Sequence, residues 1–315
     1  MLDKKLLMDL FHIPSTSGQE YLVSEFVKEF LKENGISFFE DSKGNIFNIS
    51  HVGKPLLSAH MDTVQDDIDM ALTEYITLNN DYIRGLGVIG GDDKCGIYSI
   101  LHLLQNGYGN KVNFIFSVEE EIGGIGASHF GKQNDLTHMP YGLVLDRKGN
   151  DNILCVNNDY GVQEFQNALV AIGGGNWVAD TGTFSDADAF SEQISCANIS
   201  VGYYNAHTAQ EYVNIKDLSK SINFVHSVVK NLDVMFKAPE KYNYGRHMRS
   251  YGFSEYDFFE DDILYTGVME QCEFCKDDSE PVTYLSSIGT KICKSCLTSL
   301  LFELEQVGEL ELERF

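Results

Sequence analysis

Leu56-Leu57-Ser58-Ala59-His60-Met61-Asp62-Thr63-Val64 decides how this chain folds, because an apolar run ends there in a histidine and an aspartate one residue apart. The run reads as a buried strand. With a side-chain period of two, His60 and Asp62 project to the same side at its end, so the imidazole can bind a metal while the carboxylate steadies it. A lone His-x-Asp is an ordinary strand end, and it carries chemistry only if more ligand-type residues stand at other strand or helix ends.

Working outward, such residues recur. Val112 to Val118 is a second apolar strand that ends in Glu119-Glu120-Glu121-Ile122-Gly123-Gly124, and Leu143-Val144-Leu145 is a third that ends in Asp146. Between the first two, a glycine-rich run from Ile83 to Gly91 enters Asp92-Asp93-Lys94-Cys95-Gly96, ahead of a helix marked by Ile97, Ile100, Leu101 and Leu104. A glycine loop before a helix suits phosphate, but acidic residues there repel it; a carboxylate aimed at a cation fits, with plain helix capping as the alternative. Further on, Ile199 to Gly202 ends a strand leading into Tyr203-Tyr204-Asn205-Ala206-His207-Thr208-Ala209-Gln210-Glu211.

Helices are expected over 2–12, over 19–34 with Gly35 as a left-handed cap, and over 216–232. Residues 36–39 and 45–49 read as a hairpin, while 65–82 is mixed and polar without a clear period. Strands alternating with helices indicate an α/β fold with a mostly parallel central sheet flanked by helices. In such sheets sites gather at the carboxyl ends of strands. The other seven histidines lie in amphipathic helices or lack acidic partners at a strand end, and read as structural or surface residues.

Composition narrows the function. With 47 Asp and Glu against 23 Lys and Arg, the formal charge is −24, which repels nucleic-acid phosphates and anionic lipid and suits a protein that collects divalent cations. No apolar run approaches the ~18–20 residues of a membrane span, and the N-terminus shows no cleavable signal, so a cytoplasmic protein is expected. Seven cysteines, an odd number with three scattered in apolar stretches, do not form a secreted disulfide framework.

Two histidines and several carboxylates at successive strand ends make a hard nitrogen and oxygen ligand set for two divalent ions, zinc first, with manganese or cobalt as alternatives. The motifs "IPSTSGQEYLVSEF", "DSKGN", "SAHMDTV", "GGDDKCG", "EEEIGGIGA", "LVLD" and "GYYNAHTAQEYV", in that order over about residues 5–232, resemble the zinc exopeptidase superfamily. That superfamily includes peptidase T, the glutamate carboxypeptidases and the single-domain aminopeptidases. The resemblance implies that His60 and Asp146 hold one metal, Glu121 and His207 the other, and that Asp92 bridges them. Asp62 would orient His60. Glu120 would be the general base that takes a proton from a water between the ions, with Glu119 as the fallback if the register slips by one.

Only 60 residues separate Asp146 from His207, too few for the lid domain that relatives of peptidase T insert there. The layout is closer to the single-domain aminopeptidases. The expected activity is removal of residues from the N-terminus of short peptides, with Glu119, Asp186 or Asp188 near the substrate amine. The alternatives are a deacylase acting on N-acyl amino acids or a carboxypeptidase of the same superfamily, and a catalytically silent scaffold.

Residues 1–235 are expected to form the catalytic domain, without an inserted lid, and 236–265 an aromatic and acidic connector. Residues 266–315 would form a zinc-ribbon-like module with an acidic C-terminal helix. Within it, Cys272-x-x-Cys275 and Cys293-x-x-Cys296, separated by 17 residues, are spaced for one structural tetrahedral zinc. That module could mediate oligomerisation or bind a protein partner.

Overall fold

The computed structural model describes residues 2–240, together with 263–268, 275, 282–285, 290–293 and 296. The aromatic stretch at 242–259, Cys272 and the acidic end at 297–315 lie outside the described residues. The chain divides into two units, 1–241 and 242–315.

The N-terminal unit opens with α1 (Lys4–Phe11), started by Asp3, whose carboxylate accepts the amides of Lys5 and Leu6. In α2 (Tyr21–Glu33), Val23, Val27, Phe30 and Leu31 are buried at helical spacing, and Gly35 beyond it takes φ 66°, as a left-handed cap requires. The hairpin strands β1 (Phe39–Glu40) and β2 (Ile46–Asn48) lead to β3 (Leu56–His60), buried throughout. The polar stretch after it is not irregular. It forms α3 (Asp67–Ala71), with an Asp66 capping box, then β4 (Thr77–Asn79) paired to β5 (Tyr82–Arg84). Strands of three residues are too short to display an alternating pattern, so the sequence alone did not reveal them.

Regular alternation follows through α4 (Gly91–Leu103), β6 (Asn113–Ser117), α5 (Ile125–Gln133) and β7 (Gly142–Arg147). Then come β8 (Asn152–Leu154), α6 (Gln163–Ile172), β9 (Val178–Asp180), α7 (Ala187–Phe190) and β10 (Cys196–Ser200). Two short strands, β11 (Tyr203–Tyr204) and β12 (Tyr212–Asn214), precede the long α8 (Ile215–Asn231).

The main sheet has the order β1-β2-β6-β3-β7-β10-β8-β9, with β6, β3, β7 and β10 parallel. These central strands are covered on both faces and so read as nearly continuous apolar runs. Leu57, Ala59 and Leu145 join one core with α1, α2, α4 and α8, whereas Leu56, Ile115 and Val144 join the other with α5 and α7.

From β3 the chain passes through α4 to β6 on one side, then through α5 to β7 on the other. The strand order therefore reverses at β3, the kind of switch point where open α/β sheets place their sites. His60 stands opposite Ser117 on β6, and Ser58 opposite Val144 on β7, two residues short of His60 and Asp146 on their respective strands. One sheet edge thus receives His60, the glutamate turn and Asp146. A second, antiparallel sheet, β11-β12-β5-β4, presents His207 in the turn between β11 and β12. Tyr204 stacks on Tyr212, and the Arg84 guanidinium lies 4.7 Å over the Tyr212 ring, which stiffens that turn's base.

In the C-terminal unit, β13 (Ile263–Val268), β14 (Val282–Leu285) and β15 (Thr290–Cys293) form a three-stranded antiparallel sheet. Among the described residues, no helix is long and apolar enough to cross a membrane.

Candidate metal centre

His60 is buried at the end of β3. Its Nδ1 lies 2.9 Å from the main-chain oxygen of Asp62 and 3.4 Å from the Asp62 carboxylate. That carboxylate accepts hydrogen bonds from the Glu120 amide at 2.9 Å, the Glu121 amide at 3.0 Å and the Ser17 hydroxyl at 2.7 Å. Asp62 therefore braces the glutamate turn as well as facing the imidazole. Burial opposes its ionisation, but His60, Ser17 and the Glu120 amide together hold its carboxyl below the usual range.

The two aspartates at the head of α4 divide their work. Both have non-helical backbone angles, across a cis peptide. Asp93 is fully buried and accepts the Gly96 amide at 2.9 Å and the His60 amide at 3.2 Å, so capping belongs to it. Asp92 faces both histidines, 3.1 Å from His60 Nε2 and 3.4 Å from His207 Nε2. At Gly96 a side chain would fall onto the carbonyl of Leu145, so the helix rests directly on the β7 backbone.

Two buried side chains that sequence reasoning did not single out hold this loop. Glu211 accepts the amides of Ile89 and Gly90, each at 2.9 Å, and of Asp92 at 3.2 Å; burial pushes its carboxyl up to about 7. Lys94 donates to the carbonyls of Ile13 at 2.6 Å and Phe11 at 3.4 Å, tying the loop to the end of α1. Asp146 is held likewise. Its main chain exchanges two hydrogen bonds with the Asn198 side chain, and its carboxylate accepts from the Tyr203 hydroxyl at 3.2 Å.

The glutamates separate by direction. Glu121 Oε1 is 3.0 Å from His207 Nε2, and Glu120 Oε2 is 4.0 Å from His60 Nε2. Glu119 takes φ 56° and pairs with Lys43 at 3.7 Å instead. Asp186 is buried against Ser117, and Asp188 lies 3.4 Å from the Tyr160 hydroxyl.

Three groups of three result. His60, Asp92 and Asp146 can each offer one ligand atom within 4.8 Å of the others, and so can Asp92, Glu121 and His207, with Asp92 common to both; His60, Glu120 and Glu121 form a third group that overlaps them. The ion pairs recorded for His60, Asp92, Glu120, Glu121, Asp146 and His207 are with Asp62 and with one another. Asp92 and Glu121 hold the His207 imidazole up to about 10, and burial together with neighbouring carboxylates raises Glu120 and Asp146 well above the carboxylate range. So much clustered acidity calls for positive charge at its centre. Imidazole nitrogens and carboxylate oxygens suit a zinc-like or similar divalent ion, and the donor set fits a pair of them.

Known proteins share parts of this sequence and its fold. Residues 56–164 match the profile of Peptidase family M20/M25/M40. A probable carboxypeptidase of Aspergillus niger is 31% identical over 151 residues, 42% of this chain and 36% of its own length. A putative LysW-lysine/LysW-ornithine hydrolase of Pyrococcus abyssi is 27% identical over 198 residues, 58% of this chain and 54% of its own. The chain thus spans between a third and about half the length of these curated relatives. In fold it is similar to the aminopeptidase PepT of Bacillus cereus, with a TM-score of 0.59 at 16% identity, covering 71% of this chain and 96% of that one. The matched stretch begins at the first residue of the His60 strand and includes Asp92, Glu120, Glu121 and Asp146, so the similarity to this peptidase family covers the donors of β3 to β7 and stops short of His207.

Proposed function

We propose that the N-terminal unit is a metal-dependent exopeptidase that removes residues from the N-terminus of short peptides. The observation that carries this reading is the buried Glu120 carboxylate beside two ligand groups that share Asp92. In it, His60, Asp92 and Asp146 hold one divalent cation and Asp92, Glu121 and His207 the other. When bound, the pair supplies the Lewis acid that polarises a peptide carbonyl and acidifies water.

The remaining work falls to the chain. Glu120 takes the proton of the attacking water at its carboxylate and returns it to the leaving amine, and the hydrogen bond that its amide donates to the Asp62 carboxylate keeps its backbone in place. Glu119 is the weaker candidate for the base, because it pairs with Lys43. Between Asp146 and His207 the chain builds strands and helices of the N-terminal unit, which supports the single-domain aminopeptidase layout. Buried thiols at Cys95, Cys155 and Cys196 are in keeping with a reducing cytoplasmic setting. A second reading, attack at the carboxyl end or on an N-acyl amino acid, is favoured by the names of the curated relatives, a carboxypeptidase and a LysW-lysine hydrolase.

Amino-acid release from short peptides with free or blocked ends, by metal-loaded wild type beside Glu120→Gln, tests both. Release from free N-termini, lowered about 10²–10⁴-fold in the variant while metal is retained, is expected. Release only when the C-terminus is free would select the second reading, and equal turnover by the variant would remove Glu120 as base.

A further inference from the structure

The cysteines of the C-terminal unit take no part in the chemistry above, and they stand together. Cys275 lies in the connection between β13 and β14, Cys293 is the last residue of β15, and Cys296 follows three residues later. Their sulfurs lie within 4.8 Å of one another. Cys275 Sγ and Cys293 Sγ are 3.7 Å apart, and the Cys296 amide donates to Cys293 Sγ at 3.5 Å.

Three features give this cluster a chemical meaning. First, a tetrahedral zinc with bonds of about 2.3 Å to sulfur has sulfur–sulfur edges of about 3.8 Å, whereas a disulfide is about 2.05 Å. Packed sulfurs alone would stand at a similar separation, so the distance permits a metal without demanding one. Second, the amide pointing at Cys293 Sγ stabilises negative charge on that sulfur, which favours the thiolate that a metal needs. Third, the thiols converge from the β13–β14 connection and from the end of β15. A sheet of three short strands gains little from its core alone and commonly depends on a staple such as a metal.

We propose that Cys275, Cys293 and Cys296 hold one borderline-soft divalent cation, of which zinc is the type, in a closed structural site. Cys272 lies outside the described residues. Thiolate donors on a small sheet make a structural site, whose work is on folding. It is independent of the N-terminal nitrogen and oxygen cluster and stands whether or not that cluster hydrolyses peptides.

The test uses the full chain loaded with cobalt and freed of loose metal. Intense thiolate-to-cobalt absorption in the near ultraviolet is expected, kept in His207→Ala and lost in Cys293→Ser and Cys275→Ser. Zinc-loaded Cys293→Ser should hold one zinc atom fewer per chain than wild type by native mass spectrometry. Should the serine variants fail to fold, titration of zinc-loaded His207→Ala with a mercurial reagent decides: release of one zinc as thiols react supports the site. Absence of the thiolate band in wild type, equal zinc in wild type and Cys293→Ser, or thiols that react without releasing zinc would overturn it.

Discussion

The two clusters of potential ligands differ in how they are assembled. In the N-terminal unit the donors run from His60 to His207 and are carried by strand ends and turns of a sheet whose core is complete without them. In the C-terminal unit Cys275, Cys293 and Cys296 fall within a short stretch around a sheet of three strands. The first arrangement has a fold that makes a site; the second, on our proposal, has a site that makes a fold. Hard donors braced by buried hydrogen bonds suit exchangeable ions, and soft thiolates suit a permanent one.

The contrast is open to a direct attack. Stripping all metal should leave the N-terminal unit folded, with its amides protected from hydrogen exchange, while the C-terminal unit loses protection throughout. Uniform loss in both would erase the distinction. A smaller effect isolates the bracing of the first site. Glu211→Ala frees three amides around Asp92 without removing a ligand and should weaken metal binding about 10–100-fold, read by calorimetry. Unchanged affinity would mean that the loop holds its shape alone.

Acidity separates the two further. His207, held up to about 10 by Asp92 and Glu121, carries its proton at neutral pH, and a cation must displace it. Affinity at that position should therefore rise about tenfold per pH unit up to roughly 10 and fall on acidification. Proton release measured at pH 7 in buffers of different ionisation heat gives the count, and none released would refute the assignment of His207. The smallest effect belongs to Glu119. Its pairing with Lys43 is a partly exposed contact worth about 1 kcal/mol or less, so Glu119→Gln should change turnover by less than about fivefold. A loss matching that of Glu120→Gln would move the base by one residue.

What the sequence made legible was whatever shows as a period or an abrupt change of polarity. The strands that carry His60, Ser117 and Asp146 at or next to their ends and the helices α1, α2 and α8 announce themselves in this way, and the fold class follows from their alternation. Legibility stops where the backbone turns sharply. Nothing in Asp92-Asp93 says that one carboxylate caps a helix while its neighbour faces two histidines, since that division depends on non-helical angles at both. Nor do Glu211, Lys94, Asn198 and Tyr203 differ in sequence from ordinary surface or core residues. Their roles arise from partners far along the chain, such as the amides of Ile89 and Gly90, 122 and 121 residues from Glu211.

That long-range bond has a consequence for how the protein comes into being. A chain emerging from the ribosome presents His60, Asp92, Glu120 and Asp146 well before His207, and Glu211 four residues later still. Until those last residues are free, the Asp92 loop lacks its brace and one ligand triad lacks its histidine. Completion of the candidate metal centre is thereby tied to near-completion of the N-terminal unit, and a truncated or stalled product carries most of the ligand residues without a complete site.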